Sequence, residues 1–246
     1  MSIQIGIQLY TVREHAAEDP AGTLRKIAES GYKGVQFAGY YNYKAKELKS
    51  LIDSLGLKAA GSHVGFNLFD VDSEIQLDYA DILGLKTITV PSIDTNVLTQ
   101  EQTFEKMERI REAAAKHGIR LSFHNHYREF QIENNSYKLD IFYKHLPGVL
   151  MELDTYWAYF AGIDPLTYME QNRNRLNSIH IKDMKKNADE RSVNANIGEG
   201  SLDISAYLKK AEEVGVEWAF VEMDKCNGDE LECSEISRKN LTAMGF

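Results

Sequence analysis

Apolar and polar positions alternate along this chain in a repeated sentence: an amphipathic helix, a glycine, then a short apolar strand. The glycine copies are SGYKGVQF (30–37), LGLKAAGSH (55–63), LGLKTITV (83–90), HGIRLSFH (117–124) and VGVEWAFVE (214–222). A sixth junction uses Pro-Gly in LPGVLMEL (146–153). Glycine suits the position just past a helix end because it tolerates the left-handed backbone there. The apolar runs predict eight strands: Ile3–Leu9, Gly34–Phe37, Lys58–Ser62, Thr87–Val90, Ile119–Phe123, Val149–Leu153, Ser178–Ile181 and Ala219–Met223. Helices are predicted near 21–30, 44–55, 73–83, 101–117, 138–145, 164–172, 203–214 and 229–243. Start signals precede several of them: Asp19-Pro20, Thr99, Asp164-Pro165 and Asp203.

Strands alternating with helices indicate βαβ units and a parallel sheet. Eight of each is the count of a closed (β/α)8 TIM barrel, α/β in class, formed as a single domain over residues 1–246. A doubly wound open sheet is the structural rival. No G-x-G-x-x-G follows the first strand, which gives a dinucleotide fold little support. The length of 246 residues suits one barrel.

Composition narrows the function. Hydrophobic residues make up 43%, enough for a large core. A net charge of −9 argues against a nucleic-acid backbone or an anionic membrane as partner. No run approaches the roughly 18 apolar residues of a membrane span. MSIQIGIQLYTV reads as a strand, not a signal peptide. Cys226 and Cys233 form no ligand-like pair and read as reduced thiols, so a cytoplasmic location is expected. A homo-oligomer is compatible with all of this.

The chemistry sits at the strand ends. His124-Asn125-His126 with Glu129, Glu152-Leu153-Asp154, His180-Ile181-Lys182-Asp183 and Glu222-Met223-Asp224 follow the fifth to eighth strands. A barrel gathers such positions at its C-terminal rim, where its active site lies. A lone aspartate there is ordinarily a helix cap, but four consecutive units carrying ligand types point to a divalent metal. The expected ligands are Glu129, Asp154, His180 and Glu222, suiting one ion of Mn, Zn, Co or Mg. The fifth strand is ambiguous: one of His124, His126 and Glu129 binds metal, while another transfers a proton or orients a ligand. Here Glu129 is taken as the ligand and His126 as catalytic, with Glu222 and Lys182. Lys182 either stabilises an enolate oxygen or pairs with Asp183. Tyr10, Gln36, His63, His124, Asn125 and Trp157 are candidate substrate contacts; the bland alternative for them is packing against the rim. Gly198-Glu199-Gly200 lacks the residues of a phosphate loop and reads as a turn into a helix capped by Asp203.

Together IGIQLYTVRE (5–14), SGYKGVQF, AGSHVGF (60–66), HNHYREF (124–130), MELDTYWA (151–158), IHIKDM (179–184), NIGEGSLD (196–203) and VEMD (221–224) span nearly the whole chain. The combination resembles the sugar phosphate isomerase/epimerase-like family of xylose-isomerase-type barrels. The resemblance implies one divalent metal held by Glu, Asp, His and Glu, to which Asp154, His180 and Glu222 carry over directly. In the ketose 3-epimerase branch, glutamates on the fifth and eighth strands also exchange the substrate proton. Glu222 fits the second role. The fifth strand departs, because His124-Asn125-His126 stands where that branch has its glutamate. The reading therefore moves towards branches resembling inosose dehydratases and enzymes of 3-keto sugars or 3-keto-glycosides. All of them imply removal of a proton next to a carbonyl through an enediolate, followed by epimerisation, isomerisation or loss of a β-leaving group. Two other classes stand beside this one. An abasic-site endonuclease shares the barrel but needs more histidines than the seven present and a basic surface. A non-catalytic sugar-binding barrel would keep the fold without the chemistry.

Overall fold

The computed structural model describes residues 2–93, 98–185, 194–226 and 228–246. Eight parallel strands close into a barrel: β1 (Gln4–Gln8), β2 (Gly34–Phe37), β3 (Lys58–His63), β4 (Thr87–Val90), β5 (Arg120–His124), β6 (Leu150–Asp154), β7 (Leu176–Ile181) and β8 (Trp218–Val221). Each pairs with its neighbours in sequence, and β1 closes on β8 with Ile5 opposite Ala219 and Ile7 opposite Val221. The chain is thus a TIM barrel, and its eight-stranded sheet closes without an open edge. Two short antiparallel ladders decorate the rim, pairing Ile132–Glu133 with Ser136–Tyr137 and Asp183–Met184 with Asn194–Ala195.

Eleven helices lie among the described residues: α1 (Arg13–Glu18), α2 (Pro20–Glu29), α3 (Ala45–Ser54), α4 (Leu68–Val71), α5 (Ser73–Leu83), α6 (Gln100–Lys116), α7 (Lys138–His145), α8 (Thr155–Phe160), α9 (Pro165–Gln171), α10 (Ile204–Glu213) and α11 (Glu230–Ala243). The start signals work as caps. Asp19 accepts from the Gly22 amide, Thr99 forms a reciprocal capping box with Gln102, and Asp164 and Asp203 cap α9 and α10. Gly84 (φ 74°) and Gly118 (φ 69°) end α5 and α6 in the left-handed region, as the repeated junction requires. The short α1, α4 and α8 are too brief to show helical periodicity in the sequence.

Strand side chains alternate between the helix layer and the barrel interior. Val35, Phe37, Ile88, Val90, Leu153, Ile179, Ile181 and Val221 are buried in one continuous core. Trp218 and Phe220 of β8 stack in parallel, with centroids 5.9 Å apart. Their bulk demands glycine opposite. A Cβ on Gly6 would lie 2.7 Å from the Phe220 ring, and one on Gly34 would lie 2.8 Å from the Trp218 ring. Above this aromatic floor the interior turns polar: Gln8, Gln36, Ser122, Glu152 and Ser178 are all buried.

Candidate metal centre and active site

Alternation on β5 to β7 and their extensions brings His124, Glu152 with Asp154, and His180 with Lys182 inward, and Glu222 follows β8. His124, Asp154, His180 and Glu222 each offer one ligand atom, and these atoms all lie within 4.8 Å of one another. All four residues are buried. This is a His/Asp/Glu group suited to hold a metal ion.

Two observations test the fit. His124 Nε2 and Asp154 Oδ2 are buried without a hydrogen-bond partner. Such atoms cost free energy unless something satisfies them, and a cation is what an imidazole nitrogen and a carboxylate oxygen share. The second observation is charge. Lys182 Nζ lies 3.2 Å from Asp154, 2.9 Å from Glu222 and 2.9 Å from Asp224. Burial alone would lower the lysine; the three carboxylates outweigh it and hold its pKa well above the usual value. In His180, Nδ1 lies 2.7 Å from Glu222 Oε2. Burial would lower this ring too, but Glu152 and Glu222 raise it to about 10.

On the fifth strand the sequence leaves His124, His126 and Glu129 open as ligand and favours Glu129; the metal-suited group takes in His124, also a candidate substrate contact, and not Glu129. The β5 ladder runs through His124, which pairs in register with Glu152, whereas Glu129 lies in a turn (Arg128–Phe130) beyond the strand. There its carboxylate accepts the His126 amide at 2.9 Å. His126 stands edge-on to His124, with ring centroids 4.9 Å apart. Burial, with His124 and Lys182 nearby, lowers its pKa to about 3, so the ring is neutral.

The substrate candidates divide. Trp157 is buried beside His126, 5.9 Å between centroids, and its indole Nε1 has no partner. Tyr10 is 44% exposed, with the Arg13 guanidinium 4.4 Å over its ring. Asn125 is engaged elsewhere: it accepts from the Asp154 amide at 3.0 Å and so ties β5 to β6. Gln36 and His63 both bind Glu152, through contacts of 2.6 Å each. Lys182 pairs with Asp154, Glu222 and Asp224, not with Asp183. Asp183 instead accepts backbone amides from Met184, Gly198, Gly200 and Leu202, at 2.8 to 3.1 Å. The Gly-Glu-Gly turn is thereby fixed by Asp183, and Asp203 caps the following helix.

A family model for the xylose isomerase-like TIM barrel matches residues 24–240. The chain belongs to this family. No curated protein matches it. Among solved structures, this xylose isomerase-like barrel is similar to a sugar phosphate isomerase/epimerase from Parabacteroides distasonis ATCC 8503. That likeness has 25% identity and a TM-score of 0.79 over 99% of this chain and 94% of the other. A 3-keto-D-glucoside 4-epimerase from E. coli gives 17% identity and a TM-score of 0.74, with 99% of each chain covered. A probable 3-DHS dehydratase from Bacillus anthracis gives 14% identity and 0.75, over 98% and 99%. The last two likenesses speak for the fold alone. Among the described residues, no helix is long and apolar enough to cross a membrane.

Glu152, Ser178 and Asp224 were not among the site residues expected from sequence. Glu152 was detectable, since it lies two residues before Asp154 and so shares its face of the strand. Ser178 bears the same relation to His180. Asp224 was quoted in the strand-end motif Glu222-Met223-Asp224 but was given no role.

Proposed function

We propose that this chain is a divalent-metal-dependent isomerase or epimerase acting on a sugar or keto-sugar, by proton removal next to a carbonyl. The observation that carries the reading is the buried His124–Asp154–His180–Glu222 group at the C-terminal rim of the barrel, with His124 Nε2 lacking a hydrogen bond and Asp154 Oδ2 met only by ion-pair contacts. The family and the Parabacteroides relative support it. Two imidazoles and two carboxylates suit Zn, Mn or Co better than Mg, which prefers all-oxygen surroundings.

A divalent ion held there supplies Lewis-acid stabilisation for charge developing on a carbonyl oxygen. The chain's own residues do the rest. Glu222, itself a member of the group, is the proton carrier, acting as a carboxylate. His126 beside it, a neutral imidazole with its pKa lowered to about 3, positions substrate by hydrogen bonding. Lys182, fixed by three carboxylates, adds positive charge where enediolate charge collects. The Trp157 indole N–H is free to donate to a substrate hydroxyl, and its ring offers a face to a sugar. Glu129 holds the His126 backbone, and Asn125 holds that of Asp154.

A lyase reading uses the same residues. If the enediolate carries a leaving group at the next carbon, expulsion replaces reprotonation. His124 and His126 at the fifth strand, with no glutamate in the metal-suited group there, speak against a two-glutamate epimerisation and leave proton transfer by Glu222 alone or this elimination.

The test is proton exchange followed by NMR. Metal-reconstituted protein is incubated in D2O with ketoses, inososes and 3-keto-glycosides. Deuterium entering next to a carbonyl, abolished by EDTA, is the expected result; the product separates epimerisation from elimination. Full metal loading without exchange or product on any of them would overturn the enzyme reading in favour of a binding barrel.

A further inference from the structure

The interior below the metal-suited group holds a second one, formed by His63, Glu152 and His180. Its ligand atoms are already spoken for. Glu152 Oε2 accepts from Gln36 Nε2 at 2.6 Å and from Ser178 Oγ at 2.8 Å. Glu152 Oε1 meets His63 Nε2 at 2.6 Å and His180 Nε2 at 3.2 Å. Gln36 Oε1 also lies 2.8 Å from His180 Nε2, and it accepts from Gln8 Nε2 at 2.8 Å. Three hydrogen bonds and the 3.2 Å contact with His180 surround the carboxylate, and neither Glu152 oxygen is orphaned.

The two ring nitrogens of His180 therefore face different neighbourhoods. Nδ1 turns to Glu222 in the upper group, while Nε2 turns down to Glu152 and Gln36. Metal-binding histidines characteristically give their second N–H to a carboxylate or carbonyl, which fixes tautomer and ring orientation and raises ligand basicity.

Resting on the metal reading above, we infer that Glu152 is a positioning residue for His180: it anchors Gln36, whose Oε1 is the near acceptor for Nε2–H, and lies 3.2 Å from that nitrogen as a charge, so that Nδ1 is presented to the ion. Ser178 fixes the Glu152 carboxylate. The lower group is a hydrogen-bonded support and holds no second metal. Glu152 lies beneath the ligand atoms and acts through His180.

The test is metal binding, independent of turnover. Co2+ affinity is measured by chelator competition, and the visible d–d spectrum of the Co2+-loaded chain is recorded. The wild-type chain is expected to bind one ion. Glu152→Gln keeps the shape and removes the charge; it is expected to weaken Co2+ binding about 10–100-fold, keep a stoichiometry of one, and shift the d–d bands. In a His180→Ala background, Glu152→Gln is expected to add little, because its effect travels through the missing ring. Ser178→Ala, a milder change, is expected to weaken binding several-fold and decides the matter if Glu152→Gln does not fold. Wild-type affinity in both variants, or losses that add fully in the His180→Ala background, would overturn the inference and leave the metal reading standing. A wild-type stoichiometry of two that drops to one in Glu152→Gln would make Glu152 a ligand and also overturn it. A wild-type chain that binds no divalent ion would overturn both.

Discussion

His124 Nε2 and Asp154 Oδ2 face one another across 3.4 Å, and neither makes a hydrogen bond. The separation fits two ligand atoms of one ion, since bonds of about 2.1 Å at a tetrahedral angle place their ends about 3.4 Å apart. An ion pair lacking a proper hydrogen bond, wholly buried, is otherwise a poor arrangement.

Metal loading should therefore stabilise the fold. A ligand that binds only the native state adds about 2.7 kcal/mol at a hundredfold excess over Kd. For a chain of this size that corresponds to a rise in Tm of about 5–10 °C. Differential scanning calorimetry with and without Mn2+, Co2+ or Zn2+ checks it, with EDTA reversing the gain. Asp154→Asn should lose the metal-dependent rise. A Tm indifferent to every divalent ion would remove the basis of the site.

Glu222→Gln tests the proton carrier. Its carboxylate is shared by His180 and Lys182, at 2.7 and 2.9 Å. The amide keeps the volume, so the barrel and its aromatic floor should be retained by circular dichroism. Turnover should fall about 10²–10⁴-fold, the usual contribution of a positioned acid or base. Normal turnover in a folded Glu222→Gln chain would show that Glu222 carries no proton.

The barrel was legible because its signals are periodic and local. Gly84 and Gly118 stop helices, Asp19, Thr99, Asp164 and Asp203 start them, and the apolar runs between fix eight strands. Asp154, His180 and Glu222 could be placed together because each ends a strand and strand ends converge. The choice between His124 and Glu129 was not legible. The proximity of His124 to the other three comes from the β5 ladder reaching residue 124, where it pairs with Glu152 on the next strand, and that reach has no signal in the sequence. Nor could the sequence foretell that Gln36 and His63 bind Glu152 and that Asp183 binds a loop. Those contacts join residues 116, 89 and 15 to 19 positions apart, with no local pattern between them.

Asp183 fastens the turn at residues 198–202 that leads into α10. Removing its side chain leaves four backbone amides, those of Met184, Gly198, Gly200 and Leu202, without their acceptor. Asp183→Ala should cost about 2–4 kcal/mol after water replaces part of the bonding, lowering Tm by roughly 4–16 °C. Gly200→Ala should cost a similar amount, because its Cβ would collide with the Asp183 carboxylate and sit 2.5 Å from the Met184 carbonyl oxygen. The double variant should lose less than the sum, since both changes free the same turn. Thermal denaturation of the three variants measures this; simple additivity would mean that the two residues act on separate features.

Trp157 separates binding from packing. Its ring packs against His126, Tyr127 and Phe160 and lies 5.4 Å from Lys182 Nζ, while its indole N–H is buried and unpartnered. Trp157→Phe keeps most of the ring contacts and removes only the donor. An unpaired buried donor costs free energy, so its removal offsets part of the loss from the smaller ring, and Tm should stay within a few degrees of wild type. If the N–H serves a substrate hydroxyl, KM should rise about tenfold, the worth of one hydrogen bond of about 1.4 kcal/mol, with kcat little changed. Steady-state kinetics on the substrate found by deuterium exchange checks it. An unchanged KM would place the indole outside the substrate's reach and leave Tyr10, exposed across the rim beside Arg13, as the aromatic to test next.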